Sequence, residues 1–222
     1  MHGSFCKVEM LEDRRLLSAS IGSLSADALT VERGTPVVLT ANDVTDIKVV
    51  SFYVDSNGNG VLDDGDKKLN SDGTGANGFM GKAQTKKLPV GDVLFFAQGH
   101  DVDGNMATAQ TSVHLTNASP TLKRLTAAPK KLVHGKKLTL IANGAHDTDG
   151  TVASVSFYVD SNGNGLIDAG DVLLGTDSDK HGGYKNAPDT SAFAAGTMTI
   201  LAQATDSDGG LSNVVSTAVV VT

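Results

Sequence analysis

The stretch SFYVDSNGNG occurs twice in this chain, at Ser51–Gly60 and at Ser156–Gly165, with the same ten residues each time. Its first half alternates. Phe52 and Phe157 share a face with the valines two residues away, while Ser51, Tyr53, Ser156 and Tyr158 take the other face. Side chains on a β-strand alternate in this way, so SFYV reads as a half-buried strand. Its second half holds two Asn-Gly pairs, a strong turn signal. A strand therefore ends at Asp55 and again at Asp160, and the residues after it reverse the chain.

The duplication extends outward from this junction. Asp55 and Asp160 stand 105 residues apart, and the same offset relates AQGHDVDG (Ala97–Gly104) to AQATDSDG (Ala202–Gly209). Upstream, LTAN (Leu39–Asn42) matches LIAN (Leu140–Asn143) at an offset of 101, so the second copy carries four extra residues around HDTDGT. An internal repeat of this length predicts two copies of one domain. The copies take residues 21–117 and 118–222, with NAS before Pro120 as a short joint. Residues 1–20 form an N-terminal segment, expected to be poorly ordered and concerned with sorting. In the second copy, KKLTLIAN, VASVSFYVD, VLLGTD, TMTILAQATD and LSNVVSTAVVVT are apolar runs separated by Gly, Asp and Asn. Alternation assigns Val155, Phe157 and Val159 inward, with Met198, Ile200, Ala202 and Ala204. In the first copy the inward residues are Val50, Phe52, Val54, Val93, Phe95 and Ala97. This spacing predicts about seven strands per copy in two packed sheets.

Composition agrees with an all-β chain. Of 222 residues, 25 are Gly and 22 are Asp, against 3 Glu. Asp and Gly serve turns rather than helices. The net charge of −7 argues against nucleic acid, which requires clustered Lys and Arg, and suits cations. No apolar run reaches the length of a membrane span, so membrane insertion is not expected. The single cysteine, Cys6, allows no internal disulfide framework. KVEMLEDRRLLSAS has no apolar core ahead of a cleavage site, so an ordinary secretory signal is not visible.

From ANGAHDTDG through SFYVD, LLGTD and YKNAP to GTMTILAQATDSDGG, the second copy resembles a bacterial Ig-like domain. The first copy resembles it more loosely, with KKLNSD in place of LLGTD. The resemblance implies two tandem Ig-like (fibronectin III-like) β-sandwiches of a cell-surface or secreted protein. The Trp and paired Cys of antibody-type sandwiches are lacking, which leaves the bacterial branch. LEDRRLLSA (Leu11–Ala19) resembles a short motif near the start of planctomycete surface proteins. This scaffold hosts many functions, so the resemblance speaks to fold more than to role.

A family-typical hairpin after FYVD takes about two residues. This chain spends twelve, DSNGNGVLDDGD at Asp55–Asp66 and DSNGNGLIDAGD at Asp160–Asp171. A calcium loop of the EF-hand type draws oxygens from positions 1, 3, 5, 7 (a backbone carbonyl), 9 and 12, and bends at a Gly in position 6. The first loop places Asp55, Asn57, Asn59, the Val61 carbonyl, Asp63 and Asp66 at those positions, with Gly60 at 6 and Leu62 at 8. The second places Asp160, Asn162, Asn164, the Leu166 carbonyl, Asp168 and Asp171 there, with Gly165 and Ile167. Position 12 is Asp, as in dockerin-type loops, and strands flank the loop, so no helix-opening switch is implied. An ordinary polar hairpin would explain NGNG, but not the acids at 9 and 12 or the aliphatic at 8. The reading is a Ca2+ ligand set of order 10⁻⁴–10⁻³ M affinity, as in extracellular modules.

The other acidic turns, HDVDGN (His100–Asn105), HDTDGT (His146–Thr151) and TDSDGG (Thr205–Gly210), read as Asp residues closing bends on their own backbone, with His100 and His146 as turn residues. A cation stiffening the joint between the copies is a further expectation. No nucleophile elbow, Cys–His pairing, phosphate loop or His-Glu-x-x-His is present, so no enzyme is expected. The favoured function is a calcium-stiffened structural spacer or adhesion domain. The alternatives are a module binding a glycan or another surface protein, with Tyr53, Tyr158 and Tyr184 as the outward rings, and, last, an Asp-rich metal-dependent hydrolase.

Overall fold

The computed structural model describes residues 18–75 and 78–222. Most of the planctomycete-like motif, residues 11–17, and of the 1–20 segment lies outside the described residues. From Ser18 the chain is described, and Ser20 already opens the first strand. All regular structure among the described residues is β, with no helix.

Eight strands come from the first copy: β1 (Ser20–Ala26), β2 (Thr30–Glu32), β3 (Val37–Thr45), β4 (Val50–Val54), β5 (Lys67–Asp72), β6 (Phe79–Ala83), β7 (Gly91–His100) and β8 (Met106–Thr116). The second copy gives β9 (Arg124–Ala128), β10 (Lys131–Leu132), β11 (Thr139–Asn143), β12 (Val152–Asp160), β13 (Val172–Asp177), β14 (Tyr184–Asn186), β15 (Gly196–Asp206) and β16 (Val215–Val221). The sheet orders repeat strand for strand. A three-stranded sheet β1-β3-β6 and a five-stranded sheet β2-β8-β7-β4-β5 are matched by β9-β11-β14 and β10-β16-β15-β12-β13. The sequence predicts about seven strands per copy. The eighth arises because the first strand changes sheets. Its short second half (β2, β10) pairs parallel with the last strand. In the second copy Pro129 stands at the break, where a missing N–H cannot continue the β9–β11 ladder.

Two compact units make up the chain. One takes the described residues up to Leu29, with Val37–Ala83 and Leu94–Val113. The other takes Thr30–Pro36, Gln84–Val93 and His114–Thr222.

Alternation places the core where the pattern predicts. Val50, Phe52, Val93, Phe95 and Ala97 are buried, as are Val155, Phe157, Ile200, Ala202 and Ala204. Phe157 packs in a cluster with Leu132, Leu138, Leu140, Ile200 and Val219, a set contributed by both sheets of the second copy. Val159 and Met198, expected inward, sit at the margin of that cluster, partly buried. Strict alternation fails at one position in each copy. Phe96 and Leu201 point away from Phe95 and Ile200 yet are also buried.

Tyr184 corrects the sequence reading. It is a core residue with 5 % exposure, and its hydroxyl donates to the Val152 carbonyl at 2.8 Å. An aromatic ring next to glycines reads as a surface ring, but β14 turns it into the sandwich, and a buried hydroxyl needs the acceptor it finds. Tyr53 and Tyr158 are half-buried on the outer face of their strands, and the Lys68 ammonium stands 6.0 Å over the Tyr53 ring.

Phe157 is fully buried among side chains of both sheets, so truncation leaves a void that the second sandwich cannot close. Phe157→Ala should cost about 3–5 kcal/mol, and Tyr158→Ala clearly less, when urea unfolding is followed for each variant against the wild type.

Candidate metal centre

The two twelve-residue loops begin on the last rungs of strands. Asp55 N donates to Leu94 O at 3.0 Å, and Asp160 pairs with Thr199 at the end of the β12–β15 ladder. The ladder fixes the main chain of the first loop residue. The side chain of that residue then organises the rest of the loop.

In the first loop the Asp55 carboxylate accepts two backbone N–H groups, Gly58 N at 2.7 Å on Oδ1 and Gly60 N at 2.9 Å on Oδ2. The amide oxygen of Asn57 accepts Asn59 N at 3.0 Å, and that of Asn59 accepts Val61 N at 2.8 Å. Both amide nitrogens converge on Asp63, Asn57 Nδ2 at 3.0 Å and Asn59 Nδ2 at 2.6 Å. Gly65 N adds a third donor to Asp63 at 2.7 Å. Asp66 closes the loop, taking Ser56 N on Oδ1 at 3.0 Å and Asp63 N on Oδ2 at 3.1 Å. The predicted ligand positions 1, 3, 5, 9 and 12 thus wind round one interior, held by short side chains returning to the backbone.

The second loop repeats this network. Gly163 N and Gly165 N reach Asp160 at 2.8 and 3.0 Å. Asn162 and Asn164 accept from the N–H two residues on and donate to Asp168 Oδ2 at 2.9 and 2.8 Å. Asp171 spans Ser161 N and Asp168 N at 3.0 and 3.2 Å. At position 7 the Val61 and Leu166 side chains are exposed, at 63 and 64 %.

Two positions went unread in the sequence, and a third, the aliphatic at position 8, was read without its packing. Position 4 is one: Gly58 and Gly163, at φ +72° each, present N–H groups to the first Asp beside the expected position-6 glycines at +76° and +74°. The signal was in plain view, since both Asn-Gly pairs of NGNG carry their Gly at a donor position. Position 11 is another. A methyl group on Gly65 would stand 2.5 Å from Asn57 Nδ2 and 2.9 Å from Asp63 Oδ1, so any side chain there displaces the amide. Position 8 is the third. Half-buried Leu62 lines a shallow groove together with Phe96 and Gln98 on the outer face of β7.

The donor set of each loop is all oxygen: three carboxylates, two amide carbonyls and a backbone carbonyl. That chemistry fits a hard cation and not zinc, which draws on Cys and His. The acids are not gathered into a cage. Among the described residues no three His, Cys, Asp or Glu side chains stand as a ready metal cluster. Each loop carboxylate is instead occupied by N–H groups of its own loop. His100 and His146 are exposed turn residues, and His146 exchanges backbone bonds with Thr121. Two of the other acidic turns close on themselves as predicted. Asp101 accepts Asp103 N and Asn105 N, and Asp206 accepts Asp208 N and Gly210 N.

No family model and no curated protein matches the chain. Among solved structures, the fibronectin(III)-like modules of Clostridium thermocellum CbhA are 22 % identical, with 89 % of this chain and 93 % of that one covered, at a TM-score of 0.39. The tetra-tandem repeat of the extending region of a large adhesion protein is 17 % identical at a TM-score of 0.41, over 91 % of this chain and 49 % of that one. Chicken CNTN1 FN1–FN3 domains are 11 % identical at a TM-score of 0.38, over 92 % of this chain and 66 % of that one. None of these likenesses bears on what this chain binds.

The Gly65 N–H and the Asn59 and Asn57 amides hold the Asp63 carboxyl below the ordinary Asp range, and Gly170 N–H with Asn162 and Asn164 does the same for Asp168. A carboxyl depressed in the folded state contributes stability above its unfolded value of about 3.9 and loses it as pH falls through the folded value. Carboxyl carbon NMR titration without added metal should therefore show Asp63 and Asp168 titrating below pH ~3.9. Exchange protection of the Gly65 and Gly170 amides should disappear over the same interval.

Proposed function

We propose that this chain is a non-enzymatic, calcium-binding module of a cell-surface or secreted protein, acting as a structural spacer or adhesion domain whose loops are stiffened by the ion. The observation that supports this most is the pair of loops, matching in their hydrogen bonds and built only from oxygen ligands, set where a short turn would join the same strands. A polar hairpin needs neither a carboxylate spanning positions 2 and 9 nor a second acid beneath two amides. In this reading Asp55, Asn57, Asn59, the Val61 carbonyl and Asp66 hold one ion, with Asp63 reaching it directly or through water. Asp160, Asn162, Asn164, the Leu166 carbonyl and Asp171 hold the other, with Asp168 in the role of Asp63. Calcium supplies the positive charge that three neighbouring carboxylates otherwise lack, and it braces both ends of the loop against one centre.

The chain's own residues do the rest. The glycine N–H groups orient the first Asp, the Asx turns aim the amide oxygens, and Leu62 seats its loop on the sheet. Such a device makes a hairpin rigid and performs no chemistry. The glycan-binding alternative is weakened because Tyr184, one of its three candidate rings, belongs to the core.

Five millimolar calcium against excess chelator should raise the melting temperature by several degrees. A site of order 10⁻⁴–10⁻³ M affinity gains about 1–2 kcal/mol at that concentration. Asp160 also accepts two backbone N–H groups, so Asp160→Ala lowers the melting temperature even in chelator. The informative quantity is the calcium-dependent increment. It should shrink in Asp160→Ala and shrink further when Asp55→Ala is added. An increment of zero in the wild type would overturn the proposal.

A further inference from the structure

Each loop carries two Asn-Gly pairs in its first half, Asn57–Gly58 with Asn59–Gly60 and Asn162–Gly163 with Asn164–Gly165. All eight residues are exposed to solvent. A Cβ placed on any of the four glycines would meet nothing within 4 Å. Neither burial nor crowding therefore shields these bonds, and asparagine is a thermolabile residue. It is most labile before glycine, which has no side chain to hinder its own nitrogen.

The chemistry needs only water and hydroxide. The glycine nitrogen loses its proton and attacks the asparagine Cγ. The bond from Cγ to the side-chain nitrogen breaks, and ammonia leaves with a proton taken from water. Water then opens the resulting succinimide ring at either carbonyl, giving aspartate or isoaspartate.

Ring closure requires the asparagine Cγ and the glycine nitrogen to meet, and the closed loop holds both elsewhere. Gly58 N and Gly60 N donate to Asp55 at 2.7 and 2.9 Å, and Gly163 N and Gly165 N donate to Asp160 at 2.8 and 3.0 Å. Deprotonating an N–H that faces a carboxylate sets two negative charges side by side, which is unfavourable. Each asparagine amide is fixed at both ends. Its oxygen accepts the N–H two residues on, and its nitrogen donates to Asp63 or Asp168. The product cannot take the same place. A carboxylate there faces Asp63 or Asp168 as a like charge where the amide donated at 2.6–3.0 Å. An isoaspartyl link also lengthens the main chain by a methylene. A loop once modified stays open, and its second asparagine loses the same restraints.

We propose that Asn57, Asn59, Asn162 and Asn164 are deamidation sites gated by the first aspartate of each loop. The closed loop withholds them, opening commits one of them irreversibly, and the first conversion hastens the second in the same loop. This inference rests on the hydrogen bonds of the loops and does not depend on a bound ion.

The test is to age the full chain in mildly alkaline buffer with excess chelator and to follow each asparagine by site-resolved mass spectrometry. The same chain in concentrated urea is the unrestrained reference. The loops differ in sequence after NGNG, so the copies are read separately. The four asparagines should convert at least ~10-fold more slowly in the native chain than in urea. Asp160→Ala should speed Asn162 and Asn164 at least ~5-fold and leave Asn57 and Asn59 at the wild-type rate. Asn143–Gly144 reports unfolding of the second copy, because Asn143 pairs with Arg124 in the β9–β11 ladder, and its rate should not change. Loops converted at both asparagines should outnumber the product of the single frequencies. Equal rates in native buffer and urea, or in Asp160→Ala and wild type, would overturn the gate. So would a rise at Asn143 that matches the rise at Asn162 and Asn164, since unfolding of the second copy then accounts for both. Independent conversion of the two asparagines in a loop would overturn their coupling.

Discussion

The carboxylate at the end of the SFYV strand is the constraint on which the loops depend. In each copy it accepts the N–H groups of positions 4 and 6, and both donors sit on glycines at positive φ. The strand ladder holds the Asp main chain, the Asp side chain holds the two glycines, and the glycines impose the coil that turns Asn57, Asn59 and Asp63 toward one another. Moving the strand by one residue would reverse every side chain on it, sending Phe52 outward and Asp55 away from the coil. Core packing and loop geometry therefore enforce the same register from opposite sides. That shared constraint gives a physical reason for ten residues remaining identical in both copies while KKLN became VLLG a few positions later.

Much of this was legible in the sequence because it rests on local periodicity. Alternation located Phe52, Phe157, Ile200 and Ala204 in the core, and the repeated sequence recurs as a repeated strand order in the sheets. The loop spacing singled out Asp55, Asn57, Asn59, Asp63 and Asp66, and hydrogen bonds within the loop involve each of them. What escaped depends on contacts distant in sequence. Phe96 lies on the face that alternation assigns to solvent, yet it is buried beside a shallow groove that Leu62 of the long loop also lines. Its counterpart Leu201 is buried as well. Tyr184 reads as a surface ring among glycines, and only the path of β14 shows that it caps the core. The extra strand in each copy was hidden because a three-residue or two-residue segment has no period to read.

Three turns of nearly the same composition take different structures, and their partners decide which. In HDVDGN and TDSDGG the first Asp has free backbone N–H groups two and four residues on, and it consumes both oxygens locally or on a nearby amide. In HDTDGT the second Asp is drawn instead to Arg33 and to Ala118 N, and the first keeps a single local bond. The Asp-x-Asp-Gly pattern therefore encodes a bend and leaves open whether its carboxylates are spent on that bend. Arg33, more than a hundred residues away, has no signature that would have announced the difference.

The self-satisfied loops also bear on how tightly an ion is held. A loop whose carboxylates already accept backbone N–H groups is ordered before any ion arrives, so little conformational entropy remains to be lost on binding. Against that gain, both amides of each loop donate to the position-9 Asp, and an entering ion has to draw that carboxylate or its water away from two good hydrogen bonds. Asp at position 12 is also a methylene shorter than Glu, so its backbone must approach the ion more closely for both oxygens to reach. It already spans Ser56 N and Asp63 N in the first loop and Ser161 N and Asp168 N in the second. Preorganisation favours the ion while competing internal bonds oppose it. Under the proposed calcium reading, that balance corresponds to a weak site of order 10⁻⁴–10⁻³ M.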